Sequence, residues 1–105
     1  MKLSILIASL ASLSGALADR VDLWERPNFR GPHATYAEEG IMAVPFVFRS
    51  YSWHRTEGST CCAGFCKGNM TVSIYCTPNS RSDFALGADR VIIRCDESRI
   101  DCKNG

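Results

Sequence analysis

The chain has 105 residues, twelve Lys and Arg against eleven Asp and Glu, and a formal charge of +1. That balance argues against nucleic acid or an anionic membrane as a partner held by overall charge, and leaves only a local basic patch open. A chain this short builds a limited core and leans on covalent cross-links, which its six cysteines can supply.

In chain order, the first segment has Lys2 near its start, an apolar run through Ile5, Leu6, Ile7 and Ala8, and the small residues Ala16 and Ala18 at its end. This pattern predicts a secretory signal peptide over 1–18 and a mature chain of 19–105 that is neutral once Lys2 is removed. The apolar run is too short and too interrupted to span a membrane, and no other stretch approaches about 18 apolar residues.

Val21-Asp22-Leu23-Trp24 alternates as a half-buried strand does. Arg26-Pro27-Asn28 then supplies bend chemistry, and Phe29 and Gly31 follow, so the stretch reads as a hairpin whose Trp24 and Phe29 rings meet across the fold. Ala34-Thr35-Tyr36-Ala37 is expected to be a short second strand, with Glu38-Glu39-Gly40 as a turn. The apolar run 41–48 contains Pro45 and suits an edge strand or irregular connection. A strand over 50–55 and a turn over 56–60 come next. Residues 61–69 hold three cysteines, Gly64 and Gly68, and read as a stapled loop. Thr71-Val72-Ser73-Ile74-Tyr75-Cys76 is the cleanest alternating strand, broken by Thr77-Pro78-Asn79-Ser80. A short strand and bend over 83–87, a strong strand over 90–95 and a polar tail from Asp96 complete the chain. Closely spaced short strands without an amphipathic helix predict one all-β antiparallel sandwich or barrel.

The six cysteines Cys61, Cys62, Cys66, Cys76, Cys95 and Cys102 all lie in the second half. An even count in a small secreted chain predicts a disulfide framework, each bridge contributing about 2–5 kcal/mol. Six cysteines allow fifteen pairings, fewer once a strained vicinal Cys61–Cys62 bridge is set aside.

Leu23-Trp24-Glu25-Arg26-Pro27-Asn28-Phe29-Arg30-Gly31 resembles the Greek-key signature of the βγ-crystallin superfamily, carried by Trp24, Phe29 and Gly31. Tyr75-Cys76-Thr77-Pro78-Asn79-Ser80-Arg81-Ser82 resembles the same signature restarting, with Ser80 and Ser82 in place of an aromatic and a glycine. The resemblance implies two Greek-key motifs forming one βγ-crystallin-like antiparallel sandwich, stabilised here by disulfides. It also implies that the first and fourth strands of a motif are neighbours, hence a Cys76–Cys95 bridge, with Cys102 joined to Cys61, Cys62 or Cys66. Many members of that superfamily bind calcium through two acids followed by a serine. Here Phe46, Val47, Phe48 and Arg49 precede Ser50, and Asp89 stands beside Arg90 without a following serine, so neither calcium nor any other cofactor is expected.

His54 near Cys61, Cys62 and Cys66 matches no zinc spacing, and secretion favours their oxidation. His33, His54 and the serines form no nucleophile-elbow or paired-carboxylate motif, so no enzyme is expected. Asn69-Met70-Thr71 is an N-glycosylation sequon at Asn69. The loop 58–68, with Ser59, Thr60, Phe65 and Lys67, is the expected interaction surface. The resulting expectation is a secreted, monomeric, non-enzymatic protein, a fungal effector or killer-type toxin. Its partner would be an extracellular protein or cell-surface component of a host or competitor, with no nucleic acid and no integral membrane segment. The alternatives are a proteinase inhibitor using that loop and a structural or calcium-binding crystallin-like protein.

Overall fold

The polarity alternation of 21–24 places Val21 and Leu23 in the interior, fully buried, and leaves Asp22 and Trp24 on the outside. The computed structural model describes residues 19–95 and 100–103; the expected signal segment and much of the expected tail fall outside them. Eight strands are present among these residues: β1 (Arg20–Arg26), β2 (Arg30–Tyr36), β3 (Gly40–Phe48), β4 (Ser50–His54), β5 (Cys62–Lys67), β6 (Met70–Tyr75), β7 (Asn79–Arg81) and β8 (Ala88–Arg94). They form two four-stranded antiparallel sheets, ordered β2-β1-β4-β7 and β3-β8-β5-β6.

The order shows two halves of like design. Each half sets its second, first and fourth strands side by side and gives its third strand to the edge of the other half's sheet. The exchange of β3 and β7 couples the halves, because neither sheet is complete without a strand from the other. First and fourth strands are neighbours in both halves, as the resemblance implies.

Registry follows from burying one face of each sheet. Val21 stands opposite Trp53 and Leu23 opposite Tyr51; Ala63 stands opposite Ile93 and Phe65 opposite Val91. These side chains meet Val44, Phe48, Phe84 and Ala88 between the sheets. At the centre, Phe65 lies among Phe48 (centroids 5.2 Å), Tyr51 (4.6 Å), Tyr75 (5.8 Å) and Phe84 (5.9 Å). A second, smaller cluster covers the outer face of the second sheet, where Ile100 of the tail packs with Cys66, Ile92 and Cys102.

Several expectations are corrected. Residues 62–67 form β5, an interior strand of the second sheet, and not a loop. Tyr75 ends β6, the second strand of its half, so it does not restart the signature as a first strand. The break at 77–80 contains the start of β7, and 83–87 is a turn that buries Phe84. The edge position of β3, with its Pro45, agrees with the sequence.

The disulfides are Cys61–Cys95, Cys62–Cys76 and Cys66–Cys102. The Cys76–Cys95 expectation fails because it took the β6 segment for the first strand. The neighbour rule itself holds once β5 takes that place. Cys62 stands opposite Arg94, which brings Cys61 to Cys95, and Ala63 stands opposite Tyr75, which brings Cys62 to Cys76. Consecutive residues point to opposite faces of a strand, so the vicinal pair pins one end of β6-β5-β8 on both faces. Cys102 joins one of the three expected partners, Cys66.

Candidate functional site on the outer face of the first sheet

The signature hairpin builds one wall of this face. Asn28 and Phe29 both take positive φ (63° and 59°), a conformation a bulky residue adopts only when its surroundings impose it. Here Ser50 imposes it. Its Oγ accepts the Phe29 amide (3.0 Å) and donates to the Arg26 carbonyl (2.7 Å). The Phe29 ring meets Trp24 edge to face (5.0 Å, 76°), and His33 stacks on Trp24 (4.9 Å, 18°). Gly31 has φ +87°, and the Arg26 stem lies 3.2 Å from where a Cβ would stand. The glycine therefore admits an aliphatic stem and a left-handed turn. The second half repeats the tie in another chemistry: Asp89 accepts the Gly68 amide at its hairpin tip (3.1 Å).

Asp22 is the hub of the polar face. Arg20 lies 3.4 Å, His33 3.7 Å and His54 3.2 Å from its carboxylate oxygens, and Thr35 donates to it at 2.6 Å. Ser52 contacts both His54 Nε2 (3.1 Å) and Ser80 (2.8 Å). His54 Nε2 lies within reach of both the Asp22 carboxylate and the Ser52 hydroxyl. Thr35 donates its one proton to Asp22 and stands 3.2 Å from His33 Nε2. Serine, imidazole and carboxylate therefore meet through a single ring nitrogen. A relay needs one nitrogen to take the serine proton and the other to face the acid. The face sets fixed donors and acceptors beside an indole. Among the described residues no group of three or more His, Cys, Asp or Glu is placed to hold a metal ion.

The expected interaction residues do not come together. Ser59 is half-buried, donating to Asp19 (2.7 Å) and accepting from the Cys61 amide (3.0 Å). Thr60 donates to the Cys95 carbonyl, and Arg55 bridges the Cys76 and Ser59 carbonyls. Phe65 is fully buried because alternation along β5 turns it into the core; it is no interaction residue. Lys67 is exposed at the far end of β5, about 20 Å away by strand rise, where it donates to the Leu86 carbonyl (3.1 Å). Asn69 is exposed in the two-residue turn between β5 and β6, and Thr71 of its sequon accepts from the Cys102 amide (3.3 Å). Asp22, Thr35 and Ser52 were not singled out from the sequence, and Ser50 was considered there only as the serine of a calcium pattern. Alternation places Asp22 outward, but only the β1–β2 and β1–β4 registers bring the others to it or to the hairpin.

No helix of the described residues is long and apolar enough to cross a membrane. No protein-family model matches the chain, and no curated protein matches it by sequence. Among solved structures, the chain resembles the Abundant Perithecial Protein (APP) of Neurospora crassa, at TM-score 0.50 and 20% identity over 78% of this chain. The chain spans 42% of that protein's length. The likeness is one of fold: a small disulfide-rich β-protein that shares its architecture with a fungal protein.

Proposed function

We propose that this is a secreted βγ-crystallin-type protein without catalytic activity, a fungal effector or killer-type toxin that acts by binding a component of another organism's cell surface. Neighbouring first and fourth strands in both halves and the Trp24–Phe29–Gly31 hairpin tied by Ser50 support the superfamily reading. The leader pattern and three disulfides suit an oxidising, extracellular setting. The observation that carries the binding role is the single-nitrogen meeting of Ser52, His54 and Asp22. It gives the face its most enzyme-like residues in an arrangement suited to holding a ligand rather than cleaving one. The reading calls for no calcium and no other cofactor.

The proteinase-inhibitor alternative loses its loop, since residues 62–67 are an interior strand. The test applies purified protein to candidate target cells and, separately, to a panel of proteases. Growth arrest without protease inhibition is expected; stoichiometric inhibition of a protease with no effect on cells would overturn the proposal. We also propose Asn69 as a glycan acceptor, read as a mass loss on enzymatic deglycosylation.

A further inference from the structure

The near-neutral charge of the mature chain conceals a polarised molecule. Four connections meet at one end of the sandwich. The Asn28 amide donates to the Ser82 carbonyl (2.7 Å), the Phe84 amide to the Arg49 carbonyl (2.8 Å), and Lys67 to the Leu86 carbonyl (3.1 Å). Lys67 in turn stands opposite Met70 across the β5–β6 hairpin. These connections and the strand ends that feed them carry Arg26, Arg30, Arg49, Lys67, Arg81 and Arg90, against the carboxylates Glu25, Asp83 and Asp89. Among the described residues none of the six cations forms an ion pair, the ion pairs all falling on Asp22. Asp19, Glu38, Glu39 and Glu57 gather at the opposite end, in the turns after β2 and β4 and at the start of β1, where Arg20, Arg55 and Arg94 leave only a small negative balance.

The same basic end holds three of the five large apolar side chains that stand well exposed: Phe29 (41%), Met70 (53%) and Leu86 (53%). They sit on turns and strand ends, where a flat partner can reach them. Apolar tips inside a cationic rim fit an interface of acyl chains under anionic headgroups, where the tips enter the headgroup layer and the cations stay at its surface. A linear polyanion would be served by the cations alone and would make no use of the apolar tips.

Resting on the proposed role at a cell surface, we infer that this end docks on an anionic lipid bilayer, with Leu86, Met70 and Phe29 as the inserted tips and Arg26, Arg30, Arg49 and Lys67 as the headgroup contacts. Asn69 lies at the rim of this end, so a glycan there holds the surface off the bilayer, and the deglycosylated protein binds more tightly than the glycosylated one.

The test is co-sedimentation of the purified, deglycosylated protein with phosphatidylcholine vesicles, with and without about a third phosphatidylserine. Binding is expected only to the anionic vesicles, weakening with salt and falling about fivefold for each cation removed, as by Arg49→Gln or Arg26→Gln. The double variant Leu86→Ser with Met70→Ser should bind more weakly than the parent at every salt concentration. All four positions are exposed, and an unchanged thermal melt certifies the fold. Equal binding to neutral vesicles, no binding to either, or anionic binding indifferent to the arginine changes would overturn the inference. So would binding indifferent to the Leu86 and Met70 changes and matched by capture on heparin, the outcome of a polyanion site. Growth arrest of target cells without vesicle binding would remove the lipid while sparing the toxin reading, and vesicle binding without an effect on cells would do the reverse.

Discussion

Ser50 is the one fully buried polar side chain among the described residues, and it shows how a single hydroxyl shapes a hairpin. It holds Phe29 in a conformation that costs about 1–3 kcal/mol by itself, and so keeps the ring against Trp24. Ser50→Ala should lower stability by about 2 kcal/mol in urea unfolding, because the Phe29 amide and Arg26 carbonyl both lose a partner. Asp19 sets a pH dependence. Burial works against its charged form, but hydrogen bonds from the Thr56 amide and the Ser59 hydroxyl, together with the charge of Arg55, outweigh it and hold the carboxyl below its ordinary value. A carboxyl with a depressed folded-state pKa stabilises the fold above its unfolded value, near 4, and loses that contribution as pH falls through the folded value. Urea midpoints between about pH 2 and pH 6 should therefore fall with acidification. Asp19→Asn should be less stable at neutral pH and should show a shallower fall. In the sequence Trp24, Phe29 and Gly31 were legible as a motif. Ser50 was read there only as the serine of an incomplete calcium pattern, and its tie to the hairpin shows only once the hairpin lies across it.

At the scale of elements, β5 divides what the sequence showed from what it did not. β1, β4, β6 and β8 alternate or run apolar in lengths that announce strands. β5 reads Cys-Ala-Gly-Phe-Cys-Lys, with small residues and sulfur where a strand usually shows branched or aromatic side chains. The reason is what lies on each face. Ala63 and Phe65 fill the core, while Cys62, Gly64 and Cys66 face the partners that cover the outside. Gly64 has a definite one, since a Cβ there would overlap Ile100 Cγ2 of the tail. Gly64→Ala should displace the tail and cost about 1–3 kcal/mol, seen as faster proteolysis of the C-terminal segment than in the parent. An unchanged cleavage rate would mean that the tail does not depend on this seat. β7 was missed for a different reason: three residues pair with β4 through the exchange between halves, which leaves no local pattern.

Across the whole molecule, the exchange of third strands couples the two sheets, and three disulfides pin the second sheet and its tail. The first sheet presents a polar face centred on Asp22, and one end presents arginines that form no ion pair among the described residues, beside exposed apolar tips. In the proposed readings interaction falls on these two surfaces, and of the expected interaction residues Ser59, Thr60, Phe65 and Lys67 only Lys67 belongs to either. The fold class was readable because strand periodicity and cysteine count survive in the linear chain. The site was not, because Asp22, His33, Ser52 and His54 are brought together by registry alone.

The account rests on β5 being an interior strand rather than a displayed loop, and disulfide mapping tests this most directly. Because Cys61 and Cys62 are adjacent, stepwise partial reduction and alkylation before proteolysis is needed to separate their bridges. The predicted result is Cys61–Cys95, Cys62–Cys76 and Cys66–Cys102; a peptide joining Cys76 to Cys95 would contradict the account.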